Sequence, residues 1–140
     1  MLQFLRYVFP VRAMKKSVPA SKSSDNPVRL QIKIRLNDGV IGPGKIELLT
    51  HLAEEGSITA AARKMSMNYR RAWHLINTLE IAIGVSIVET EIGGAGGGGA
   101  RLTEFGTELV DRFQEMRANM EKVSVEFTDW LESSIHSASE

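Results

Sequence analysis

The chain has 140 residues, of which 43% are hydrophobic, and this is enough for one domain with a core. It contains no cysteine, which excludes disulfides and thiolate metal sites, and its three histidines lie far apart in sequence. The net charge is zero, but residues 1–36 hold eight Lys/Arg against one acid, and residues 103–140 hold nine acids against three Lys/Arg. Such a chain can present one positive surface, although the basic N-terminus is equally consistent with a solvated tail.

Residues 1–26 are predicted to form a disordered leader, because their prolines, serines and charged residues offer little to bury. Met14 is an alternative start. The apolar cluster from Leu2 to Phe9 is interrupted by Arg6 and is followed by no small-residue cleavage site, so a signal peptide is not expected. No apolar run approaches the roughly 20 residues that a membrane span requires. We therefore expect a cytoplasmic protein with no membrane partner.

Residues 28–36 alternate between apolar and polar side chains, which predicts a half-buried strand. The apolar positions, expected to face inward, are Val28, Leu30, Ile32, Ile34 and Leu36, and the outward basic positions are Arg29, Lys33 and Arg35. A turn signal, Asn37-Asp38-Gly39, ends this strand.

Two helices are predicted next. The first runs from about Pro43 to Glu55, with apolar residues at helical spacing, and Gly56 ends it. The second is short, Ile58–Lys64, and Ser57 is a good N-cap for it because its hydroxyl can accept a free backbone N–H. Three consecutive alanines give the second helix a slim profile, so another helix can cross it closely.

A third helix is predicted from Tyr69 to Ile83, with Asn68 as its N-cap and Gly84 as its end. Its core face is predicted to hold Tyr69, Ala72, Trp73, Ile76, Leu79 and Ile83, and its other side Arg70, Arg71, His74, Asn77 and Thr78. Two short helices joined by the turn Met65-Ser66-Met67, the second carrying cations on its outer side, are typical of a helix-turn-helix.

Residues 86–92 predict a strand, residues 93–99 a flexible glycine loop and residues 100–102 a return strand. A strand, glycine loop and strand after a recognition helix predict a hairpin wing. The glycine run lacks the Gly-Lys-Ser/Thr ending of a nucleotide-binding loop and precedes a strand, so nucleotide binding is not predicted.

Thr103 is predicted to cap a long final helix, from about Glu104 to Ser133. An apolar stripe follows it at spacings of three and four residues: Phe105, Leu109, Phe113, Met116, Met120, Val123, Phe127 and Leu131. A helix of about 30 residues is about 45 Å long, longer than the small domain before it. Its far half is expected to pack against the same helix of a second subunit, and the alternative is that it folds back over its own domain.

Four segments together resemble the N-terminal DNA-binding domain of the ModE-type, molybdate-responsive bacterial regulators. They are residues 56–62, the Ala-Trp-His-Leu-Ile-Asn run at residues 72–77, the four-glycine stretch ending at Ala100, and Leu102-Thr103-Glu104-Phe105-Gly106. A looser similarity extends to the LysR-type regulators, which share Gly-Ser-x-Thr-Ala-Ala-Ala and Leu-Thr-x-x-Gly. The match covers about residues 28–125.

The resemblance implies an α+β, mainly α fold: a winged helix-turn-helix with an N-terminal strand, a two-stranded wing and a long C-terminal dimerisation helix. The predicted organisation is a DNA-binding domain at residues 27–103, a dimerisation helix at residues 104–135 and a tail at residues 136–140. Full regulators of the ModE type carry further C-terminal domains that bind the oxyanion. Because nothing follows residue 140 here, molybdate binding by this chain alone is not expected, and no cofactor is predicted.

A recognition helix reads base edges with its N-terminal residues, so the predicted DNA contacts on the third helix are Asn68, Tyr69, Arg70, Arg71 and His74. Neighbouring helical residues diverge by about 100°, so one arginine is predicted to read a base and the other to bind a phosphate. The alternative is that both are solvated surface arginines. For Asn68 the capping role competes with contact to adenine, and we favour the cap. Trp73 is predicted to lie in the core rather than to stack on a base.

Three further residues outside the third helix are predicted DNA contacts. Ser57 and Thr59 begin the second helix, whose free N–H groups suit a phosphate, although capping alone explains Ser57 equally well. Arg101, at the base of the wing, suits a phosphate or minor-groove contact. The basic residues of the N-terminal strand are weaker candidates.

These features predict a dimeric, sequence-specific transcriptional regulator that binds double-stranded DNA. The alternative is a winged-helix module that binds another protein and no DNA. An enzyme is not predicted, because the sequence shows no nucleophile–base pairing, metal cluster or cofactor motif.

Overall fold

The computed structural model describes residues 27–93 and 98–138. The elements that it describes follow in the order β1 (Ile34–Arg35), β2 (Val40–Ile41), α1 (Pro43–Glu55), α2 (Ile58–Lys64), α3 (Tyr69–Ile83), β3 (Val88–Glu91), β4 (Gly99–Leu102) and α4 (Glu104–Ala138). This is the α+β, mainly α winged helix-turn-helix predicted from the sequence. The predicted leader, residues 1–26, and residues 94–97 of the glycine loop lie outside the described residues.

Local signals fix the ends of α1, α2 and α3. The backbone N–H of Ala60 donates to Ser57 Oγ at 3.4 Å, and that of Arg71 donates to Asn68 Oδ1 at 2.8 Å. These bonds satisfy N–H groups that have no partner within the helix. Gly56 and Gly84 end α1 and α3 with φ of 68° and 79°, a left-handed conformation that glycine adopts without steric cost.

The core lies where α1, α2, α3 and the base of the wing meet. Its largest fully buried side chains are Leu48, Leu49, Leu52, Leu79 and Ile87. The alanines at positions 61, 62 and 72 are also buried, and their small side chains let α2 and α3 approach closely. The helix-turn-helix is therefore held by a packed core, which fixes the direction of α3.

The N-terminal strand is much shorter than predicted. Only Ile34 and Arg35 pair with β2, with Ile34 opposite Ile41 and Arg35 opposite Val40. The partner strand ends because Pro43 begins α1 two residues later and has no backbone N–H to donate. Residues 28–33 therefore have no β2 residues opposite them. The basic side chains of the predicted strand are exposed as predicted, but Leu30 and Ile34, which were expected to face inward, are exposed as well, so the half-buried strand was predicted wrongly at these positions.

The prediction that Tyr69 and Trp73 face the core is wrong. Tyr69 is 51% exposed and Trp73 is 48% exposed, whereas Ala72, Ile76 and Leu79 are buried. At about 100° per residue, Trp73 is rotated by about 90° from the centre of the buried face. The buried face of α3 is therefore narrower than the spacing rule assumed, and it is centred on Ala72, Ile76 and Leu79.

The wing is a two-stranded antiparallel hairpin that is anchored to α3. Glu80 Oε1 accepts hydrogen bonds from the backbone N–H groups of Ile87 at 2.7 Å and Val88 at 3.0 Å. The backbone N–H of Ala100 donates to Gly56 O at 2.9 Å, which ties β4 to the end of α1. The base of the wing is thus fixed to two helices.

The last helix begins at the predicted residue and ends later than predicted, at Ala138 rather than near Ser133. The predicted tail at residues 136–140 therefore starts inside this helix. Serine hydroxyls in the last turns donate to the carbonyl oxygens four residues earlier, and no glycine or proline interrupts the segment. Within the described residues, no helix is both long enough and apolar enough to cross a membrane.

The two halves of α4 have different surroundings. Phe113 and Val110 are buried in the core, and Met116 packs against it. Beyond Met116 the apolar stripe leaves the domain, and Val123 is 82% exposed and Phe127 62% exposed. Within the described residues, the far half of the stripe does not fold back over its own domain.

Candidate nucleic-acid interface

The outer face of α3 carries two of the predicted DNA-contacting side chains. Arg70 and His74 lie one turn apart, opposite the buried Ala72, Ile76 and Leu79, and both are exposed. Neither Arg70 nor His74 belongs to any ion pair found among the described residues. The guanidinium and imidazole groups are therefore available to a partner on this side.

Arg71 and Tyr69 lie on opposite flanks of that outer face. Both are exposed, and at about 100° per residue Arg71 is rotated by about 80° from the line between Arg70 and His74. Trp73 lies on the same flank as Tyr69. The apolar spacing of α3 predicted Trp73 in the core, because spacing at every three or four positions does not show how wide the buried face of a helix is.

Capping occupies the side-chain oxygens of two predicted contacts. Ser57 Oγ and Asn68 Oδ1 each accept a backbone N–H of the following helix, as the sequence predicted. Ser57 is half-buried, whereas Thr59 and Asn68 are exposed. Ser57 and Thr59 lie on the first turn of α2, separated along the chain from the outer face of α3 by the rest of α2 and the turn. The Asn68 amide NH₂ retains its donors, so capping does not prevent a contact to a phosphate or base.

The wing cation is held by neighbouring carboxylates. Arg101 lies opposite Glu89 in the strand register, and its Nε is 3.1 Å from Glu89 Oε2 and 3.9 Å from Glu91 Oε1. All three side chains are exposed, and an exposed ion pair of this kind contributes about 0–1 kcal/mol to stability. The described strands of the wing therefore carry one more negative than positive charge, a feature that the sequence analysis did not anticipate.

The described residues offer no grouping of three or more His, Cys, Asp or Glu side chains that could hold a metal ion.

Parts of this chain are similar in sequence and structure to known regulatory proteins. Residues 44–107 match the family described as bacterial regulatory helix-turn-helix protein, lysR family. The chain is 39% identical over 71 residues to the DNA-binding transcriptional dual regulator ModE of Escherichia coli (strain K12), a match that covers 51% of this chain and 27% of that protein. It is 38% identical over 73 residues to the molybdenum-pterin-binding protein MopA of Rhodobacter capsulatus, covering 52% of this chain and 28% of that one.

The chain thus spans little more than a quarter of the length of these curated relatives. Among solved structures, it is similar to the CbnR_DBD-DNA complex, with 22% identity, a TM-score of 0.47 and coverage of 59% of this chain and 93% of that one. A LysR family transcriptional regulator gives a TM-score of 0.46 at 23% identity, covering 60% of this chain and 27% of that one. The helix-turn-helix segment of this chain, residues 44–107, is thus similar to the lysR family of bacterial regulatory helix-turn-helix proteins.

Proposed function

We propose that this protein is a dimeric, sequence-specific DNA-binding transcriptional regulator of the LysR/ModE type. The observation that carries the proposal is the outer face of α3, where Arg70 and His74 are exposed and belong to no ion pair found in the described residues. A helix in the major groove presents such side chains to base edges. The names of the ModE relatives, which describe transcriptional regulators, support this proposal.

The proposed DNA-binding unit is residues 27–103. Arg70 and His74 read bases, and Asn68, Tyr69 and Arg71 contact the duplex beside them. Ser57 and Thr59 present the start of α2 to a phosphate, and Arg101 leaves its carboxylate partners to contact the backbone from the wing. Because the Arg101 ion pairs are exposed and weak, exchanging them for a phosphate costs little.

The proposed dimerisation unit is α4. Its apolar positions Leu109, Phe113, Met116, Met120, Val123, Phe127 and Trp130 are separated alternately by four and three residues. This spacing is the heptad pattern of a coiled coil. The rings of Phe127 and Trp130 are tilted by 36° to each other, with centroids 5.7 Å apart, and both side chains are exposed. A second copy of α4 would cover these side chains and place two copies of α3 on one DNA, in half-sites about one helical turn or a multiple apart.

The test is selection of genomic fragments by the purified protein, followed by binding measurements on the recovered sequence. Arg70→Ala should reduce the preference for that sequence over random DNA by about 5- to 150-fold, because a bidentate arginine–guanine pair contributes about 1–3 kcal/mol of discrimination. Arg112→Ala is the matched control, because this exposed arginine lies on α4 and pairs with Glu108 at 2.7 Å.

Retention of full sequence preference by Arg70→Ala would remove Arg70 from the reading face. Failure to enrich any fragment, together with equal weak binding to all DNA, would favour the alternative of a protein-interaction module.

A further inference from the structure

A surface groove of about 410 Å³ lies on one flank of α3. Three cations from separate parts of the chain line it: Lys33 from the segment before β1, Lys45 from the first turn of α1, and Arg71 from the first turn of α3. Its apolar lining includes Met65, Met67 and Leu75. The fold therefore brings together three positive charges that are far apart in sequence.

These cations are not neutralised by nearby acids. The groove lining contains no carboxylate, and none of the ion pairs found in the described residues involves Lys33, Lys45 or Arg71. Two other cations of the domain do have carboxylate partners: Lys64 pairs with Glu55 at 3.2 Å, and Arg101 pairs with Glu89 at 3.1 Å. The groove therefore carries three positive charges without an acidic partner among the described residues.

One of the lysines is held in place by the backbone. Lys45 Nζ donates a hydrogen bond to the carbonyl oxygen of Val40 at 3.0 Å. An ammonium group has three donors, so two remain for a ligand. The side chain is half-buried, which limits its freedom and lowers the entropy cost of a contact.

The groove adjoins the outer face of α3 that carries Arg70 and His74. Arg71, which lines the groove, is next to Arg70 in the first turn of α3. We propose that this groove holds the sugar–phosphate backbone of the DNA at the edge of the site, with Lys33, Lys45 and Arg71 binding phosphates. The apolar lining contacts deoxyribose. Within the pair of adjacent arginines, Arg70 then reads a base and Arg71 binds the backbone. This inference rests on the proposed function and adds to it a division between residues that specify sequence and residues that position the duplex.

The test uses Lys33→Gln, Lys45→Gln and the double variant of the full chain. Affinity is measured against salt concentration, on the selected sequence and on random DNA of equal length. Each lost phosphate contact should lower the slope of log K against log salt by about one unit. Both DNAs should be weakened by a similar factor, so that the ratio between them is unchanged. Arg70→Ala should have the opposite pattern, with a reduced ratio.

Two controls separate charge from folding. Lys64→Gln removes a cation that is already paired with Glu55, and it should leave the slope unchanged within error. Lys45→Arg keeps the charge and should retain most of the slope even if loss of the Val40 contact makes Lys45→Gln unstable. Thermal unfolding identifies such a variant, and Lys33→Gln then tests the groove by itself.

An unchanged salt slope in Lys33→Gln and in the double variant would overturn the groove assignment while sequence-specific binding by the parent protein still stood. A fall in the specificity ratio would overturn it as well, because these lysines would then read bases. If the parent protein shows no preference for any DNA, the proposed function itself fails, and that result is distinct from the other two.

Discussion

Trp73 and Leu79 lie on the same helix in different surroundings. Trp73 is 48% exposed and Leu79 is completely buried in the core. Truncating Leu79 to alanine should cost about 2–5 kcal/mol of unfolding free energy, since it removes buried methyl groups and leaves a cavity. Trp73→Ala should cost less than about 1 kcal/mol, because its contacts are those of a surface residue. Urea unfolding of the two variants measures the difference, and an equally large loss for Trp73→Ala would place the ring in the core after all.

The adjacent arginines of α3, Arg70 and Arg71, also face different surroundings. Arg70 lies on the outer face, whereas Arg71 lines the basic groove. The angle between neighbouring helical positions, about 100°, is enough to give them separate roles. A substitution at one of them should therefore not reproduce the effect of the other.

In the wing, the cation Arg101 lies on β4, and the carboxylates of Glu89 and Glu91 lie on the adjacent strand, β3. If the wing lies against DNA, the double variant Glu89→Gln with Glu91→Gln should bind DNA about fivefold more tightly at low salt. The reason is that it removes repulsion between these carboxylates and the phosphates, and two unit charges about 4 Å apart interact by about 1 kcal/mol in water. The gain should disappear at high salt, where exposed charges are screened. Titration of labelled DNA at two salt concentrations measures it.

The matched control for the wing is Glu126→Gln with Glu132→Gln, which makes the same change of net charge on the far half of α4. Equal tightening by both double variants would mean that only the total charge matters. No tightening by the wing variant would mean that β3 does not approach the duplex.

The start of α4 depends on a glycine. A Cβ at Gly106 would overlap the carbonyl oxygen of Ile87 and lie 3.1 Å from its Cγ2 atom, so α4 and the start of the wing could not both keep their positions. Gly106→Ala should destabilise the domain by about 1–3 kcal/mol, the usual cost of overpacking, because this exceeds the helix-propensity gain of about 0.5–1 kcal/mol. Thermal and urea unfolding measure the loss.

Gly44 is the matched control, because it is also helical and no atom lies within 4 Å of its Cβ position. Gly44→Ala should be neutral or should stabilise by up to about 1 kcal/mol. If Gly106→Ala were equally well tolerated, the close approach to Ile87 would not be a constraint.

The whole molecule has one feature that a monomer does not explain. Its last helix has 35 residues, about 52 Å in length, and among the residues that the structure describes no core residue lies beyond Phe113. The exposed side chains beyond it continue the stripe of the buried half. Val123 lies on that stripe, and Val125 lies outside it, although both are exposed.

Val123→Glu should therefore prevent the proposed α4 dimer from forming at micromolar concentration, because it would place a charge in the proposed helix–helix seam. Val125→Glu should leave the mass unchanged. Light scattering coupled to size exclusion measures both, and a dimer that survives Val123→Glu would show that another surface joins the subunits.

Acidic and basic residues are unevenly distributed along the chain. Residues 104–138 hold eight acids against three Lys/Arg, whereas residues 27–103 hold nine Lys/Arg against seven acids. An anionic duplex would therefore be attracted to the helix-turn-helix and repelled from α4, even though the net charge of the chain is zero.

The sequence by itself determined the elements whose signals are local. The ends of α1, α2 and α3 follow from capping residues and glycines that act within four positions of themselves, so these bounds could be predicted to the residue. The start of α4 at Glu104 is also set locally, because the Thr103 hydroxyl accepts a hydrogen bond from the backbone N–H of Gly106 at 3.0 Å. The family-like order of these segments also identified the helix-turn-helix before any packing was known.

Tertiary structure decided everything that depends on which surfaces meet. The sequence could not show that Trp73 lies at the edge of the buried face, because the width of that face depends on how closely α2 packs. It could not show that Glu89 neutralises Arg101, since strand register brings them together. The groove of Lys33, Lys45 and Arg71 is the clearest case: these residues lie far apart along the chain, and only the packing of three segments gives their charges one common surface.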